Sequence, residues 1–230
     1  MERNEKMQQP SAREEILQKL KAAPKQSVSP RPEIPLLSEL AMTQEEMIHR
    51  FTERLVEETG IVYRVPNNQE ALEKLAEIAR AEGLKKVMVS TDDVVAALDL
   101  PAWGKKYDVI IMTPKDFPHR ESFRDAVFNE VQAGITGADF AVAESGTLGL
   151  IHNKDQARLV SLAPILHIAI VPVERMNPIY ERVVDRVFDN PQTFPSQFIF
   201  ITGPSMTGDI QGVLFKGMHG PRKVIVILVG

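Results

Sequence analysis

The feature that most constrains the fold is a series of near-continuous apolar runs separated by helical segments. The apolar runs are 61–65, 86–90, 107–113, 138–145, 166–173, 197–203 and 223–230. The helical patterns between them are at about 92–98, 121–132, 178–188 and 207–215. Continuous apolar strands are typical of sheets buried on both faces. This alternation predicts an α/β fold with a mainly parallel sheet flanked by helices.

Two further helices are marked by their caps. Thr43 and Glu46 have the spacing of a capping box, and Gly60 follows the helical pattern as a stop signal. Asn67 and Glu70 have the same spacing and open a second helix. Both helices are expected to pack an apolar side against the sheet.

The first 40 residues differ from the rest of the chain. A short helical pattern at 11–21 is followed by a stretch that contains Pro24, Pro30, Pro32 and Pro35. Such a stretch is unsuited to a helix or a central strand, so it is interpreted as a linker or an extended arm. The expected organisation is an N-terminal helix and proline-rich arm over residues 1–40 and one domain over residues 41–230.

Composition excludes several classes of function. The 230 residues contain no cysteine, which excludes disulfides, thiolate-held clusters and a cysteine nucleophile within them. A formal net charge of −4 argues against nucleic-acid binding. The polar residues 1–9 do not form the apolar core of a signal peptide, and no run has the length of a membrane span. The expected location is the cytoplasm, with no nucleic acid and no membrane span.

The first candidate site segment is the stretch GITGADFAVAESGTLGL. Its ligand-binding candidates are Thr136, Asp139, Ser145, Gly146 and Thr147. Glu144 is a candidate base or nucleophile, because it follows a predicted strand and ligands bind beyond the carboxyl ends of strands in parallel sheets. The alternative is a β-hairpin in which ESGT is only the turn.

The second candidate segment follows the run FIFIT. Its ligand-binding candidates are Gly203, Ser205, Thr207 and Asp209. Backbone amides at a glycine-rich strand–helix junction would favour an anion. Helix capping by Thr207 or Asp209 is the alternative. His219, in GMHGP, is a candidate catalytic base, although a lone histidine is more often structural.

Metal binding is not predicted, because the five histidines show no HxxxH or HxH spacing. The polar loop 152–158 contains Lys154 and Arg158. These two side chains could help to hold an anion, or the loop could be a solvated turn.

The two candidate segments occur together with HIAIVPVERMNPIYERVVDRV between them, and in this order they resemble the LUD domain of the lactate-utilisation protein C (LutC) family. The resemblance extends from about residue 45 to residue 230 and is strongest over 134–150 and 201–228. It implies the sugar-phosphate isomerase/CoA-transferase (NagB/RpiA/CoA transferase-like) fold.

The resemblance also implies a function. It suggests a bacterial cytoplasmic subunit that supports the oxidation of L-lactate to pyruvate together with iron–sulfur partner proteins. No cofactor is expected on this chain itself, and the clusters would belong to the partners. The ligand would be a small carboxylate or a phosphate-bearing molecule in a small-anion pocket at the strand ends. Glu144 and His219 would be the catalytic candidates.

Two alternatives stay open at this point. One is a non-catalytic subunit that binds a metabolite and organises partners. The other is an enzyme similar to the CoA-transferases or isomerases, in which a glutamate shortly before a glycine attacks a thioester; the AESG segment with Glu144 is similar in that local sense. Fold kinship alone does not decide between them.

Overall fold

The computed structural model describes residues 12–24, 41–189, 194–208 and 214–230. The chain forms two compact units, Met1–Ser38 and Glu39–Gly230. The described part of the first unit is a helix, α1 (Ala12–Ala22), whose Ile16, Leu17 and Leu20 are exposed. The predicted boundary at residue 40 and the proline-rich arm lie outside the described residues.

The second unit combines helices and strands in the predicted alternation. Its helices are α2 (Gln44–Glu57), α3 (Asn68–Ala81), α4 (Asp93–Ala96), α5 (Leu100–Tyr107), α6 (Arg120–Asn129), α7 (Leu159–Leu162) and α8 (Tyr180–Phe188). Its strands are β1 (Ile61–Val65), β2 (Lys86–Val89), β3 (Ile110–Met112), β4 (Ala133–Gly137), β5 (Phe140–Val142), β6 (Thr147–Ile151), β7 (Leu166–Pro172), β8 (Met176–Asn177), β9 (Phe198–Ile201), β10 (Met206–Gly208), β11 (Leu214–Lys216) and β12 (Lys223–Val229).

The main sheet confirms the predicted fold class. Six strands pair in the order β1-β12-β7-β4-β2-β3, and every pair is parallel. Residues alternate between the two faces, so that Ile225 and Ile227 pack with α3, α4 and α5, whereas Val224, Val226 and Leu228 pack with α2. Because both faces are covered, apolar residues predominate on both faces of the central strands β7 and β12.

A second, smaller sheet covers part of the α2 face. It has the order β8-β5-β6-β9, with β5 and β6 antiparallel, β6 and β9 antiparallel, and β5 and β8 parallel. Ala141 and Leu148 of this sheet lie in one cluster with Phe51 of α2 and with Ala169 of the main sheet. The second sheet therefore packs on the same face of the main sheet as α2.

The capping predictions are confirmed. The Thr43 side chain accepts from the Glu46 amide, and the Glu46 carboxylate accepts from the Thr43 amide at 2.7 Å. Asn67 Oδ1 accepts from the Glu70 amide at 3.0 Å. These bonds satisfy amide groups that a helix start leaves without internal partners.

One central strand was not predicted. The chain between β3 and β5 was expected to enter the sheet at 138–145, but the parallel strand is β4, and residues 138–145 contain β5 of the second sheet and the turn after it. The sequence AGITG lacks the continuous apolar pattern of a buried strand, because packing requires glycine at two of its five positions. A Cβ on Gly134 would lie 1.7 Å from the carbonyl oxygen of Val160. Helix α7 therefore approaches β4 too closely for a side chain.

The prediction of a helix at 207–215 is wrong. The described parts of this segment, β10 and β11, form an antiparallel hairpin in which Thr207 pairs with Phe215. The strand before it, β9, is not buried on both faces either, because its Phe200 is exposed. Among the described strands, β9 pairs with β6 alone. The strand expected at 107–113 begins only at Ile110, because α5 extends to Tyr107. Asp99 caps the start of this helix.

Within the described ranges, no helix combines the length and the apolar character needed to cross a bilayer.

Candidate functional site

The ESGT segment is the turn that joins β5 to β6. Its Gly146 has a φ of +64°, a conformation that side chains rarely adopt. A Cβ at this position would also lie 2.4 Å from the backbone nitrogen of Leu55 in α2. The glycine is therefore required by the close approach of the turn to α2, and its role in ligand binding stays a prediction.

Four hydroxyl groups meet beside this turn. Thr147 Oγ1 lies 2.9 Å from Ser145 Oγ and 2.8 Å from Thr202 Oγ1, and the Tyr180 hydroxyl donates to Thr147 Oγ1 at 2.8 Å. Thr147 is fully buried, Ser145 and Tyr180 are half-buried, and Thr202 is exposed. We call this group the hydroxyl cluster. It extends from the protein interior to its surface.

The hydroxyl cluster retains one unused proton. A hydroxyl group donates one hydrogen bond, so four hydroxyls have four protons for the three bonds that join them. Tyr180 and Thr147 each use their proton within the cluster, and either Ser145 or Thr202 supplies the third. The remaining proton belongs to Ser145 or Thr202. The cluster can therefore donate one hydrogen bond to an acceptor such as a carboxylate.

Glu144 holds the start of α8. Its Oε1 accepts from the backbone amide of Tyr180 at 2.8 Å, and its own amide donates to the Pro178 carbonyl at 3.1 Å. A carboxylate at a helix N-terminus is stabilised by the helix dipole and satisfies an otherwise unpaired amide. Glu144 is thus a helix cap supplied from a distant part of the chain. The nucleophile role stays a prediction.

Gly203 and Ser205 do not form the expected strand–helix junction. Gly203, with a φ of +130°, packs against α2, where a Cβ would lie 2.9 Å from the Glu58 carbonyl oxygen. The Ser205 amide donates to the Pro221 carbonyl, and the Ser205 carbonyl accepts from the Gly217 amide, each at 2.8 Å. These backbone groups are used by the protein itself. The Ser205 amide is therefore bonded within the protein, and anion binding by the amides of this segment stays a prediction.

The remaining candidates of the second segment lie apart from the hydroxyl cluster. Thr207 lies in the β10–β11 hairpin. His219 is exposed in the turn that follows this hairpin. Asp209 lies outside the described residues.

Thr136 lies within the main sheet. Its Oγ1 is 2.9 Å from Nε2 of His167, and both side chains are fully buried. Burial lowers the pKa of His167 to about 4, because the charged ring would be desolvated. The Nδ1 atom of His167 has no hydrogen-bond partner within the described part of the chain. Thr136 thus orients a neutral core histidine.

Asp139 lies at the carboxyl end of β4. Its Oδ2 accepts from the Ile151 amide at 2.7 Å. Burial raises the pKa of this carboxyl group, and the Ile151 bond and the charge of Arg175 oppose that effect. Asp92 and Asp93 raise the pKa further. Asp139 therefore belongs to a group of charged residues at the strand ends, separate from the hydroxyl cluster.

These charged residues surround the carboxyl ends of the parallel strands. Asp92 accepts from the Ser90 hydroxyl at 2.5 Å and from the Gly137 amide at 3.0 Å. Arg175 forms an ion pair with Asp93 and donates to the Ala138 carbonyl. The arrangement ties β2, β4 and β7 together at this edge of the sheet.

A cavity of about 340 Å³ opens at the ends of β7 and β12. Its polar lining consists of Asn68, Asp93, Glu174 and Arg175. This is where ligands bind in parallel α/β sheets. The lining has two carboxylates and one guanidinium, however, so its charge favours a neutral or cationic group over an anion.

Among the residues of these sites that the sequence did not predict are Asp92, Arg175, Tyr180 and Thr202. Asp92 and Arg175 each follow a predicted parallel strand, so the rule on carboxyl ends could have found them. Tyr180 and Thr202 have no local signal, because their connection to Thr147 depends on the pairing of β6 with β9 and on the position of α8. Within the described ranges, no group of three or more acidic or histidine side chains is arranged to hold a metal ion.

Comparison with known proteins agrees with this architecture. The family model of the LUD domain matches residues 48–229. A crystal structure of a DUF162 family protein from Deinococcus radiodurans superimposes with a TM-score of 0.58 at 23% identity, covering 82% of this chain and 99% of that one. At this identity the superposition shows the fold alone.

The sequence relatives are bacterial. Lactate utilization protein C of Anoxybacillus flavithermus is 29% identical over 163 residues, which is 71% of each chain. Proteins of the same name from Bacillus subtilis and Oceanobacillus iheyensis are 42% and 38% identical, over 103 and 106 residues. These two alignments span less than half of the relatives' length, at 43% and 46%. The chain belongs to the LUD domain family, and the three relatives named above are called lactate utilization protein C.

Proposed function

We propose that this chain is a subunit that supports the oxidation of L-lactate to pyruvate together with iron–sulfur partner proteins. The observation that carries the proposal is the similarity to three bacterial proteins named lactate utilization protein C. The absence of cysteine is consistent with it, because these 230 residues offer no thiolate ligand for a cluster. Electrons from lactate would then leave through a partner.

The hydroxyl cluster is the proposed contact for the small carboxylate. It supplies one hydrogen-bond donor near the surface, and Glu144 and the start of α8 hold Tyr180 in place beside it. A single hydroxyl donor predicts weak binding of the carboxylate by the isolated chain. The proposal therefore assigns the chain a supporting role and predicts no lactate oxidation by the pure protein.

The test is lactate-dependent reduction of an artificial electron acceptor by the iron–sulfur partners, with and without this chain. We expect activity only when the chain is present. Thr147→Val, which removes the central hydroxyl at nearly constant volume, should lower the rate at saturating partner concentration. Arg80→Glu, on the exposed side of α3, is the matched surface control. Full activity of the partners alone would contradict the proposal.

The same experiment separates the two alternatives. A non-catalytic scaffold subunit would restore partner assembly equally well with wild type and with Thr147→Val. A transferase or isomerase that uses Glu144 would act on an acyl-CoA or a sugar phosphate without the partners and would lose that activity in Glu144→Gln. Neither alternative has a specific supporting observation in the described part of the chain.

A further inference from the structure

A second cavity lies between α6 and the segment that begins α7. Its volume is about 520 Å³. It is lined by Arg120, Glu121, Phe123, Arg124, Phe128, Ala157, Arg158 and Leu159. None of these residues belongs to the hydroxyl cluster or to the charged group at the strand ends. The cavity is within the size range of small-molecule and cofactor sites.

The lining of this cavity is basic and poorly neutralised. It contains three arginines and one glutamate. In the described part of the chain, the guanidinium groups of Arg120 and Arg158 have no ion-pair or hydrogen-bond partner, and Arg124 has only a 3.5 Å contact with its neighbour Asp125. Exposed arginines whose charges converge without acidic partners repel one another. An anion in the cavity would remove this repulsion.

The start of α6 adds to the positive character. His119, the residue before the helix, makes no side-chain hydrogen bond to the first turn. The first amides of a helix lack internal acceptors and lie at the positive end of the helix dipole. Arg120 is the first residue of this helix and also lines the cavity. The end of the cavity at Arg120 therefore carries a guanidinium group and lies at the positive end of the α6 dipole.

The other end of the cavity is aromatic. Phe128, on the same side of α6, is 58% exposed. It lies eight residues after Arg120, which is about 12 Å along a helix at 1.5 Å per residue. An inorganic anion is too short to reach both ends, whereas a nucleotide has phosphates at one end and a planar ring at the other. Aromatic side chains and arginine are both suited to stacking on such rings.

We propose that this cavity binds a nucleotide, with its phosphates held by Arg120, Arg124 and Arg158 and its ring covering Phe128. The site is independent of the lactate-related function proposed above. It explains why three arginines and an exposed phenylalanine line one cavity on a chain whose net charge is −4. The chemistry favours a phosphate ester of a planar heterocycle over a simple carboxylate.

The test is calorimetric titration of the full chain with ADP and with FMN. We expect at least one of them to bind with a dissociation constant below about 100 μM, and binding should weaken as salt is raised, because phosphate contacts are screened. Arg120→Glu and Arg158→Glu should each weaken binding by roughly tenfold or more, and Phe128→Ala by roughly threefold to tenfold. Arg80→Glu, the same charge change on α3, should alter it by less than about twofold.

Pyrophosphate and adenosine distinguish the two halves of the ligand. We expect pyrophosphate and adenosine each to bind at least about tenfold more weakly than ADP, which contains both groups. Pyrophosphate binding as tightly as ADP and FMN would overturn the nucleotide assignment. Failure of both nucleotides to bind at about 1 mM, or unchanged affinity in both arginine variants, would overturn the site itself. All the substituted side chains are exposed, and a circular-dichroism melting curve verifies that each variant is folded.

Discussion

The backbone amide of Tyr180 donates a hydrogen bond to the carboxylate of Glu144, 36 positions earlier in the chain, at 2.8 Å. The Tyr180 hydroxyl bonds at the same time to Thr147, three residues after Glu144. One residue at the start of α8 is thus held at both its backbone and its side chain by the ESGT turn. The motif that stands out most in the sequence is therefore, first of all, the anchor of a helix.

Glu144→Ala is expected to destabilise the protein by about 1–2 kcal/mol, because it removes the cap of α8 and leaves the Tyr180 amide without its acceptor. Glu144→Gln retains an acceptor oxygen and should cost about half as much. Urea denaturation monitored by circular dichroism measures both. Equal stability of Glu144→Ala and wild type would show that the cap contributes nothing.

Thr147→Val should destabilise the protein by about 1–3 kcal/mol, since the side chain is fully buried and three hydroxyl partners lose their bond to it. Thr202→Val removes an exposed hydroxyl of the same cluster and should cost less than about 0.5 kcal/mol, because water can replace it. A double-mutant cycle of Thr147→Val with Tyr180→Phe should show coupling of about 0.5–1.5 kcal/mol. Strictly additive effects would contradict the hydroxyl cluster.

Gly146→Ala and Gly83→Ala form a matched pair. Both glycines have a φ of +64°, but a Cβ at Gly83 meets nothing within 4 Å, whereas one at Gly146 lies 2.4 Å from the backbone of α2. Gly83→Ala should cost about 1–2 kcal/mol from backbone conformation alone. Gly146→Ala should cost at least about 2 kcal/mol more, because the clash moves α2. Thermal unfolding compares the two, and equal losses would exclude a steric role for the contact.

His167 should make the stability depend on pH. Its pKa in the folded protein is about 4, below the value of about 6.5 in an unfolded chain. Between these values the unfolded state binds a proton that the folded state does not, so stability is full above about pH 6.5 and falls as the pH drops towards 4. The loss attributable to this residue is at most about 3 kcal/mol.

The measurement for His167 is the free energy of unfolding at pH 7 and at pH 4.5, for wild type and for His167→Gln. The glutamine does not titrate, so its variant should show a smaller loss. In wild type, the His167 ring resonances should also remain those of the neutral form at pH 5 by NMR. A ring that is protonated at pH 6 would contradict the burial of Nε2 and Nδ1.

Much of the fold was predictable because its signals are local. The capping box at Thr43, the N-cap at Asn67 and the continuous apolar runs of β7 and β12 are local features of the chain, and their positions agree with the structure. The family resemblance likewise depends on motifs in order, and the LUD domain match confirms it. Local periodicity and capping chemistry are sufficient for elements of this kind.

The errors occur where packing overrides local preference. AGITG is a central strand only because α7 and Asp92 approach its glycines from both sides, and no pattern within the five residues reveals this. The segment at 207–215 has a helical pattern but pairs as β10 with β11 in its described parts. Hairpin pairing depends on the cross-strand partner, which a single segment does not specify.

For the candidate site, the sequence shows that ESGT is polar, but the arrangement of its side chains depends on the assembled fold. Glu144, Ser145 and Thr147 were predictable as a polar turn after a strand. Their partner Tyr180 lies at the start of α8, and their partner Thr202 follows β9. The role of Glu144 as a helix cap likewise depends on the position of α8. A hydrogen-bonded cluster needs side chains within about 3 Å in space, and distance along the chain carries no information about that separation.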